Sequence, residues 1–379
     1  MSAMNVIVIG GGVMGLSCAW RLAQAGAAVR LLEARECGQG ATRAALGALW
    51  PSSPLVNGPL QNLHRASLWE FEPFIAELTQ RTAMPVHFRR CGRLEFLNSG
   101  KLLVRAVEEA SVATGDWPPY GTPLPVMELL DPAQIAALFP ALETAGRAAL
   151  LCRATAQVNV PELVGALRAA CQMAGVSIHE NTPVTAIQRQ GQRITGVRAG
   201  NQAFEAEALL VTAGAWSPGL APEIAQAAPI RPVKGQGLAL APPPGFQLDT
   251  IIKSDSIYLV PWMNNAPAEI LVGSTTEPDA DFDESPTTEA RDFLLAGAIA
   301  LIPALKNARI LRQWTGLRPQ NPAKRHPPIM GPHPAIPNLY ICTGHFKTGL
   351  GLAPIVSRMM AGTIAQDALA PELAEFNPR

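Results

Sequence analysis

Three glycines and one acid near the start of the chain have the types and spacing to hold a charged ligand. Gly10, Gly12 and Gly15 stand in the order G-x-G-x-x-G within IGGGVMG, and Glu33 follows after one short strand-like run. In this pattern the first glycine permits a tight turn and the second lets the backbone approach a pyrophosphate. The third lets a helix pack closely on a strand. The start of that helix offers free N–H groups and a positive dipole end to an anion. An acid at the end of the next strand is placed to accept hydrogen bonds from an adenosine ribose. These residues point to dinucleotide binding, with Val13 and Met14 inside the turn as further contacts.

The elements that must position them are legible nearby. Val6-Ile7-Val8-Ile9 is a β-branched run, the pattern of a strand buried on both faces. Met14, Leu16, Cys18 and Leu22 continue with helical spacing, and Gly26 ends the helix. Ala28–Leu32 then reads as a second strand ending at Glu33. The glycines therefore sit between strand and helix in a βαβ unit of about 30 residues. The next stretch, EARECGQGATRAALGALWP, does not lead straight into another helix and strand. It is a small-residue loop, suited to a backbone lying along a bulky, extended cofactor. Its candidate contacts are Ala34, Ala41, Thr42, Arg43, Leu46, Gly47 and Ala48.

Further along, 59–83 reads as a long helix, and 86–97 as a hairpin or two short strands around Gly92. Residues 100–114 read as a helix and the Pro-rich 116–125 as a surface loop. A helix opens at Pro161 and closes at Gly175, and strands follow with turns at Gln190-Gly191 and Gly200-Asn201. The apolar run Ala208–Val211 ends in Thr212-Ala213-Gly214, a second small-residue strand end suited to face the same ligand. Residues 230–275 are strand-rich and 286–302 helical, and the chain closes with a strand at Leu339–Cys342, a glycine loop and a helix over about 352–366.

The 379 residues suggest two domains, and 48% hydrophobic content supplies a large core. The order of elements predicts an α/β fold: a Rossmann-type dinucleotide-binding domain interleaved with a mixed-sheet substrate domain. The expected boundaries are 1–85, 155–220 and 310–379 for the first and 86–154 and 221–309 for the second. A formal net charge of zero gives no basic stripe for nucleic acid and no polybasic segment for an anionic membrane surface. The six cysteines form no C-x-x-C pair and read as reduced thiols. No metal-type cluster, nucleophile elbow or triad stands out. The first residues lack a basic segment, glycines interrupt their apolar run, and no stretch reaches a membrane span of roughly 18 apolar residues. The expectation is a cytoplasmic protein.

Several further segments carry a family resemblance. They are IGGGVMG, TAGAWS (212–217), PVKGQ (232–236), YLVP (258–261), GLRP (316–319) and GHFKTGLGLAP (344–354). On these, and on the 33–51 loop, the chain resembles the D-amino acid oxidase superfamily of flavoproteins over nearly its whole length. Within it the glycine oxidases of thiazole and thiamine biosynthesis are the most similar branch. The resemblance implies FAD bound extended and non-covalently, since the covalent relatives use a cysteine after GLRP and residues 318–331 contain none. It implies cofactor contacts at Val184, Ala213, Gly214 and Trp216, with Val184 on a strand against the adenine. It implies a loop beside the flavin pyrimidine edge formed by His345, Phe346, Lys347, Thr348, Gly349, Leu350 and Gly351.

Arg318 matches the arginine that pairs with the substrate carboxylate, and Tyr258 a tyrosine near it. Lys347 is a further candidate cation. The implied reaction is oxidative deamination of a small amino acid (glycine, sarcosine or a small D-amino acid) to a 2-oxo acid, ammonia or an amine, and hydrogen peroxide. Oxygen is then the acceptor. The alternative is a D-amino acid or imino acid dehydrogenase that passes electrons to a quinone or another non-oxygen acceptor. The resemblance also implies a homo-oligomer. The chain departs from the glycine oxidase pattern at Ala48, Ser256, Thr276 and Lys347, where methionine, histidine, methionine and arginine are typical. The flavin loop is kept and the substrate pocket altered.

Overall fold

The computed structural model describes residues 3–56, 58–111, 127–262 and 269–379. The opening strand Asn5–Ile9 lies inside a six-stranded sheet. On one side it pairs in parallel with Ala28–Leu32, which pairs with Ser177–His179. On the other side follow Ala208–Val211 and Leu339–Thr343, again parallel, and then Ile329–Pro332, antiparallel. Side chains alternate across a strand, so Val6 and Val8 face one core and Ile7 and Ile9 the other. The first core is closed by the helices Val13–Gln24, Pro59–Thr82, Val160–Met173 and Gly349–Gln366. The second is closed by a three-stranded sheet, Ala186–Gln190, Arg193–Ala199 and Gln202–Glu205.

A separate eight-stranded sheet begins at the edge strand Arg309–Gln320 and continues through Arg231–Ala241, Ile270–Gly273, Tyr258–Pro261 and Ile251–Lys253. Arg93–Phe96, Ala149–Cys152 and Met127–Leu130 complete it. Leu238, Leu240, Leu259 and Val272 pack under the helix Thr288–Leu301. The opposite face presents Ala239, Val260, Leu271, Tyr258 and Trp314 toward Leu46 and Trp50 of the small-residue loop. Gly316 lets the edge strand touch that loop, since a Cβ there would lie 2.3 Å from the Ala44 Cβ. Trp314 Nε1 donates to the Ala44 carbonyl at 3.2 Å.

Three placements differ from the sequence reading. The strand Arg309–Gln320 falls in the eight-stranded sheet, whereas the order of elements places 310–379 in the nucleotide-binding half. It pairs along the whole of Arg231–Ala241, and the chain leaves it only at Asn321-Pro322. Of the two readings of 86–97, the structure has the two short strands and not the hairpin: Phe88–Arg89 joins the small sheet with Ala48–Leu49 and Ala156–Val158, and Arg93–Phe96 joins the large one. Gly92 bonds instead to Thr155 and Ile251. Val184 precedes its strand, because Pro183 has no N–H and pairing begins with the Thr185 N–H to the Arg198 carbonyl, 2.8 Å. The last helix starts at Gly349, earlier than its apolar spacing suggests. The expected loop at 116–125 lies outside the described residues.

Candidate active site

A cavity of about 970 Å³ runs from the Gly10–Gly15 turn to the face of the eight-stranded sheet. At its first end the glycines divide the work. Gly10 has φ +106°, and a Cβ there would sit 2.7 Å from the Thr212 carbonyl oxygen. A Cβ on Gly15 would sit 1.8 Å from the Gly10 carbonyl oxygen. Both glycines are needed by the protein itself. Gly12 is different: its φ of −69° suits any residue, and a Cβ would meet only Thr42 Oγ1, at 3.3 Å. Its open side is the cavity, as a pyrophosphate seat requires.

The Val13 N–H donates to Thr42 Oγ1 at 3.0 Å, which ties the helix start to the small-residue loop. Glu33 accepts from the Gly11 N–H at 2.6 Å and the Arg35 N–H at 2.9 Å. A carboxylate has about four acceptor sites, so two remain for a ribose. Met14, Ala34, Ala41, Leu46, Gly47 and Ala48 line the cavity with these residues. Val184, Ala213, Gly214 and Trp216 line its far side. Arg43 is not on the wall; its Nη1 donates to Gln39 Oε1 at 2.8 Å.

The middle of the cavity meets a second helix start. Thr348 Oγ1 donates to the His345 carbonyl at 2.7 Å, and the helix opens at Gly349. The first-turn N–H groups of Gly349, Leu350 and Gly351 have no acceptor within the helix and lie on the cavity wall. The Phe346 N–H donates to the Pro319 carbonyl at 2.8 Å, fastening this loop beside Arg318. Burial pushes the His345 pKa down to about 4, with His64 adding to the effect, and burial alone does the same to His64. Both imidazoles are neutral at pH 7. His64 Nδ1 bonds Ser52 Oγ at 2.9 Å, while its buried Nε2 on the wall has no partner among the described residues.

The far end is built from side chains of the large sheet. Arg318 Nη2 donates to Ser274 Oγ at 2.8 Å and Nη1 to the Thr275 carbonyl at 3.1 Å, both neutral acceptors. No carboxylate lies within 4 Å of it among the described residues. Gly235 leaves the room: a Cβ there would lie 2.2 Å from both guanidinium nitrogens. Tyr258 packs edge-to-face on Trp50, with ring centroids 5.1 Å apart, and also bonds Ser274. Burial pushes its phenol up and the Arg318 charge draws it back. Lys347 Nζ reaches Thr276 Oγ1 at 3.3 Å. Partial burial lowers the pKa of its ammonium, and the charges of Arg318 and Lys253 lower it further.

Arg318, Tyr258 and Lys347 thus share one end of the cavity. The sequence reading missed the cradle of Ser274 and Thr275, the role of Gly235 and the nearness of Lys253. The motif PVKGQ contains Gly235, but only the pairing of Gly235 with Gly316 across two strands shows what it accommodates.

A protein-family model described as DAO, FAD dependent oxidoreductase, matches residues 5–363. The chain belongs to this family of FAD-dependent oxidoreductases. It is 32% identical over 367 residues to a glycine oxidase from Pseudomonas aeruginosa, covering 94% of this chain and 93% of that one. It is 31% identical to the bifunctional protein ThiO/ThiG of a Synechocystis species, covering 99% of this chain but 54% of the relative. The chain therefore spans about half the length of that bifunctional relative. The crystal structure of glycine oxidase from Geobacillus kaustophilus superposes with a TM-score of 0.89 at 25% identity, covering 100% of this chain and 99% of that one.

The residues of this oxidoreductase fit an extended FAD. Gly12 and the starts of two helices line the cavity, and Glu33 keeps free acceptor sites beside the first of them. Among the described residues no helix is long and apolar enough to cross a membrane.

Proposed function

We propose that this oxidoreductase is a cytoplasmic amino acid oxidase that deaminates a small amino acid: glycine, sarcosine or a small D-amino acid. In the simplest case glycine, water and oxygen give glyoxylate, ammonia and hydrogen peroxide. The observation that carries the reading is Arg318, a guanidinium fixed by neutral acceptors and aimed at a cavity shared with the nucleotide-binding turn. An arginine presents a planar two-point fork to a carboxylate. The likeness to glycine oxidases supports the same substrate size.

Bound FAD supplies the acceptor for the electron pair removed from the substrate. The chain's own residues orient and select. Arg318 holds the carboxylate, and Ser274 fixes both Arg318 and Tyr258. Lys347 and Lys253 add positive charge nearby, which disfavours a protonated amine. The amine that binds is therefore neutral, the form that loses a hydride most readily, and no catalytic base is required. The N–H groups of Gly349–Gly351 present a positive helix end to the cavity, which would favour negative charge on a group bound there.

The test is hydrogen peroxide release by the purified holoenzyme with glycine, sarcosine, D-alanine, D-proline and their L counterparts, run with and without an artificial electron acceptor. Peroxide formation from at least one small amino acid supports the reading. Turnover only with the artificial acceptor would assign a dehydrogenase instead, and no turnover with any amino acid would remove the reading.

A further inference from the structure

The substrate end of the cavity carries more positive charge than one carboxylate neutralises. Three cations face it: Arg318, Lys347 and Lys253. Lys253 is already paired with Glu95. The nearby acids are also engaged. Glu277 accepts from Gln236 and Thr275, and Asp283 from Lys234 at 2.6 Å. Asp255 accepts from Asn98 at 2.9 Å. Arg318 and Lys347 are left, and neither has a carboxylate within 4 Å among the described residues.

The two are braced by one short segment. Ser274 and Thr275 take the Arg318 guanidinium, and Thr276 takes the Lys347 ammonium. Ser274 and Thr276 are two residues apart, at most about 7 Å of extended chain. Two cations on so short a brace are close enough for one small molecule to touch both. With a monocarboxylate bound, one positive charge remains beside another partly buried one. A dianion relieves both.

Resting on the proposed amino acid oxidase reading, we infer that the preferred substrate is a small amino dicarboxylate. Arg318 holds the carboxylate next to the oxidised carbon and Lys347 the second one. Such a second carboxylate sits either on a short side chain at Cα or on a carboxymethyl group at nitrogen. Thr276, which braces Lys347, stands where methionine is typical of the glycine oxidase pattern, while Lys347 keeps the positive charge of the arginine typical at its own position, so the change lies in how the second cation is held.

The test compares kcat/KM of the holoenzyme for glycine, sarcosine, iminodiacetate and D-aspartate, in the wild type, Lys347→Met and Lys347→Arg. The wild type is expected to favour one dicarboxylate over glycine by about tenfold or more, equivalent to about 1.4 kcal/mol. Iminodiacetate and D-aspartate separate the nitrogen-borne from the carbon-borne carboxylate. Lys347→Met is expected to cut the dicarboxylate-to-glycine ratio by about tenfold, and Lys347→Arg to restore most of it. A second readout needs no turnover. Flavin absorbance is titrated with acetate and with succinate, and the succinate preference is expected to vanish in Lys347→Met. Loss of glycine and dicarboxylate turnover in equal proportion would mean that both cations grip one carboxylate, and would overturn the inference. So would a wild type that oxidises glycine or sarcosine without preferring either dicarboxylate, while the oxidase reading stands. Failure of every amino acid, mono- or dicarboxylic, removes both.

Discussion

The two ends of the cavity are made from different material. The nucleotide end is backbone: glycines without side chains, helix N–H groups and one acid, contributed by a single run from Gly10 to Thr42 and completed by Thr212–Gly214. The substrate end is side chain: Arg318, Tyr258, Lys347 and Lys253 come from three strands and a loop spread over about a hundred residues. Backbone sites need particular residues at particular spacings, so substitution there is all-or-none. Side-chain sites depend on what surrounds a charge, so substitution is graded and depends on the substrate.

The sharpest way to break this comparison is within the glycines. Gly15→Val is expected to abolish folding, since even a Cβ overlaps the Gly10 carbonyl. Gly12→Val is expected to fold but lose FAD affinity by about 100-fold or more, about 2.8 kcal/mol. Its backbone angles suit valine, and the new methyl groups occupy the phosphate seat. Circular dichroism and flavin content of the two purified variants separate the outcomes. A yellow Gly12→Val protein would show that the turn does not grip the phosphates.

At the other end, Arg318→Leu should keep FAD and lose substrate. Removing one partner of a desolvated charge pair costs about 2–5 kcal/mol, roughly 30-fold to a few thousand-fold in kcat/KM. Lysine rescues only in part, because it loses the two-point fork. The double variant Arg318→Leu/Lys347→Met also removes the other cation that has no carboxylate within 4 Å among the described residues. Near wild-type kcat/KM for amino acids in both variants would direct attention to amines without an acid group.

Gly235→Ala tests the same end more gently. The Cβ collides with the far end of a flexible side chain, not with backbone, so the sheet tolerates it and Arg318 must swing aside. Thermal stability and FAD content are expected to stay near wild type while kcat/KM falls about 10- to 100-fold, or about 1.4–2.8 kcal/mol. A matching fall in melting temperature would mean that the strand pairing, rather than the guanidinium, was disturbed.

What the sequence revealed follows the same division. Gly10, Gly12, Gly15 and Glu33 could be read alone, because strand, turn, helix and acid are contiguous and each glycine answers a local steric demand. Arg318 and Tyr258 came from resemblance, since nothing in GLRP or YLVP says what lies opposite. Ser274 and Thr275 gave no signal: a serine and a threonine at a strand end are ordinary, and their importance arises from Arg318 reaching across Gly235. The sequence misplaces strand Arg309–Gln320 for a related reason. Chain adjacency suggested the C-terminal strands, whereas its partner Arg231–Ala241 lies some seventy residues earlier.

The smallest expected effect concerns the histidines between the two ends. His64 and His345 are held neutral, with pKa values near 4, below the ordinary value of about 6.5. An unfolded chain protonates them first as the pH falls. The unfolded state therefore binds more protons between about pH 6.5 and 4, and folding stability declines through that window. Above it the effect is fully present as stability; below about pH 4 the loss is complete. His64→Gln removes one of the two titrations while retaining a polar group beside Ser52, and also lifts the second contribution that His64 makes to His345. Urea unfolding at a fixed excess of FAD, so that ligand linkage is constant, is expected to show a pH 7-to-5 stability loss smaller in the variant by on the order of 1–2 kcal/mol. An unchanged loss would mean that His64 is solvated in the native protein.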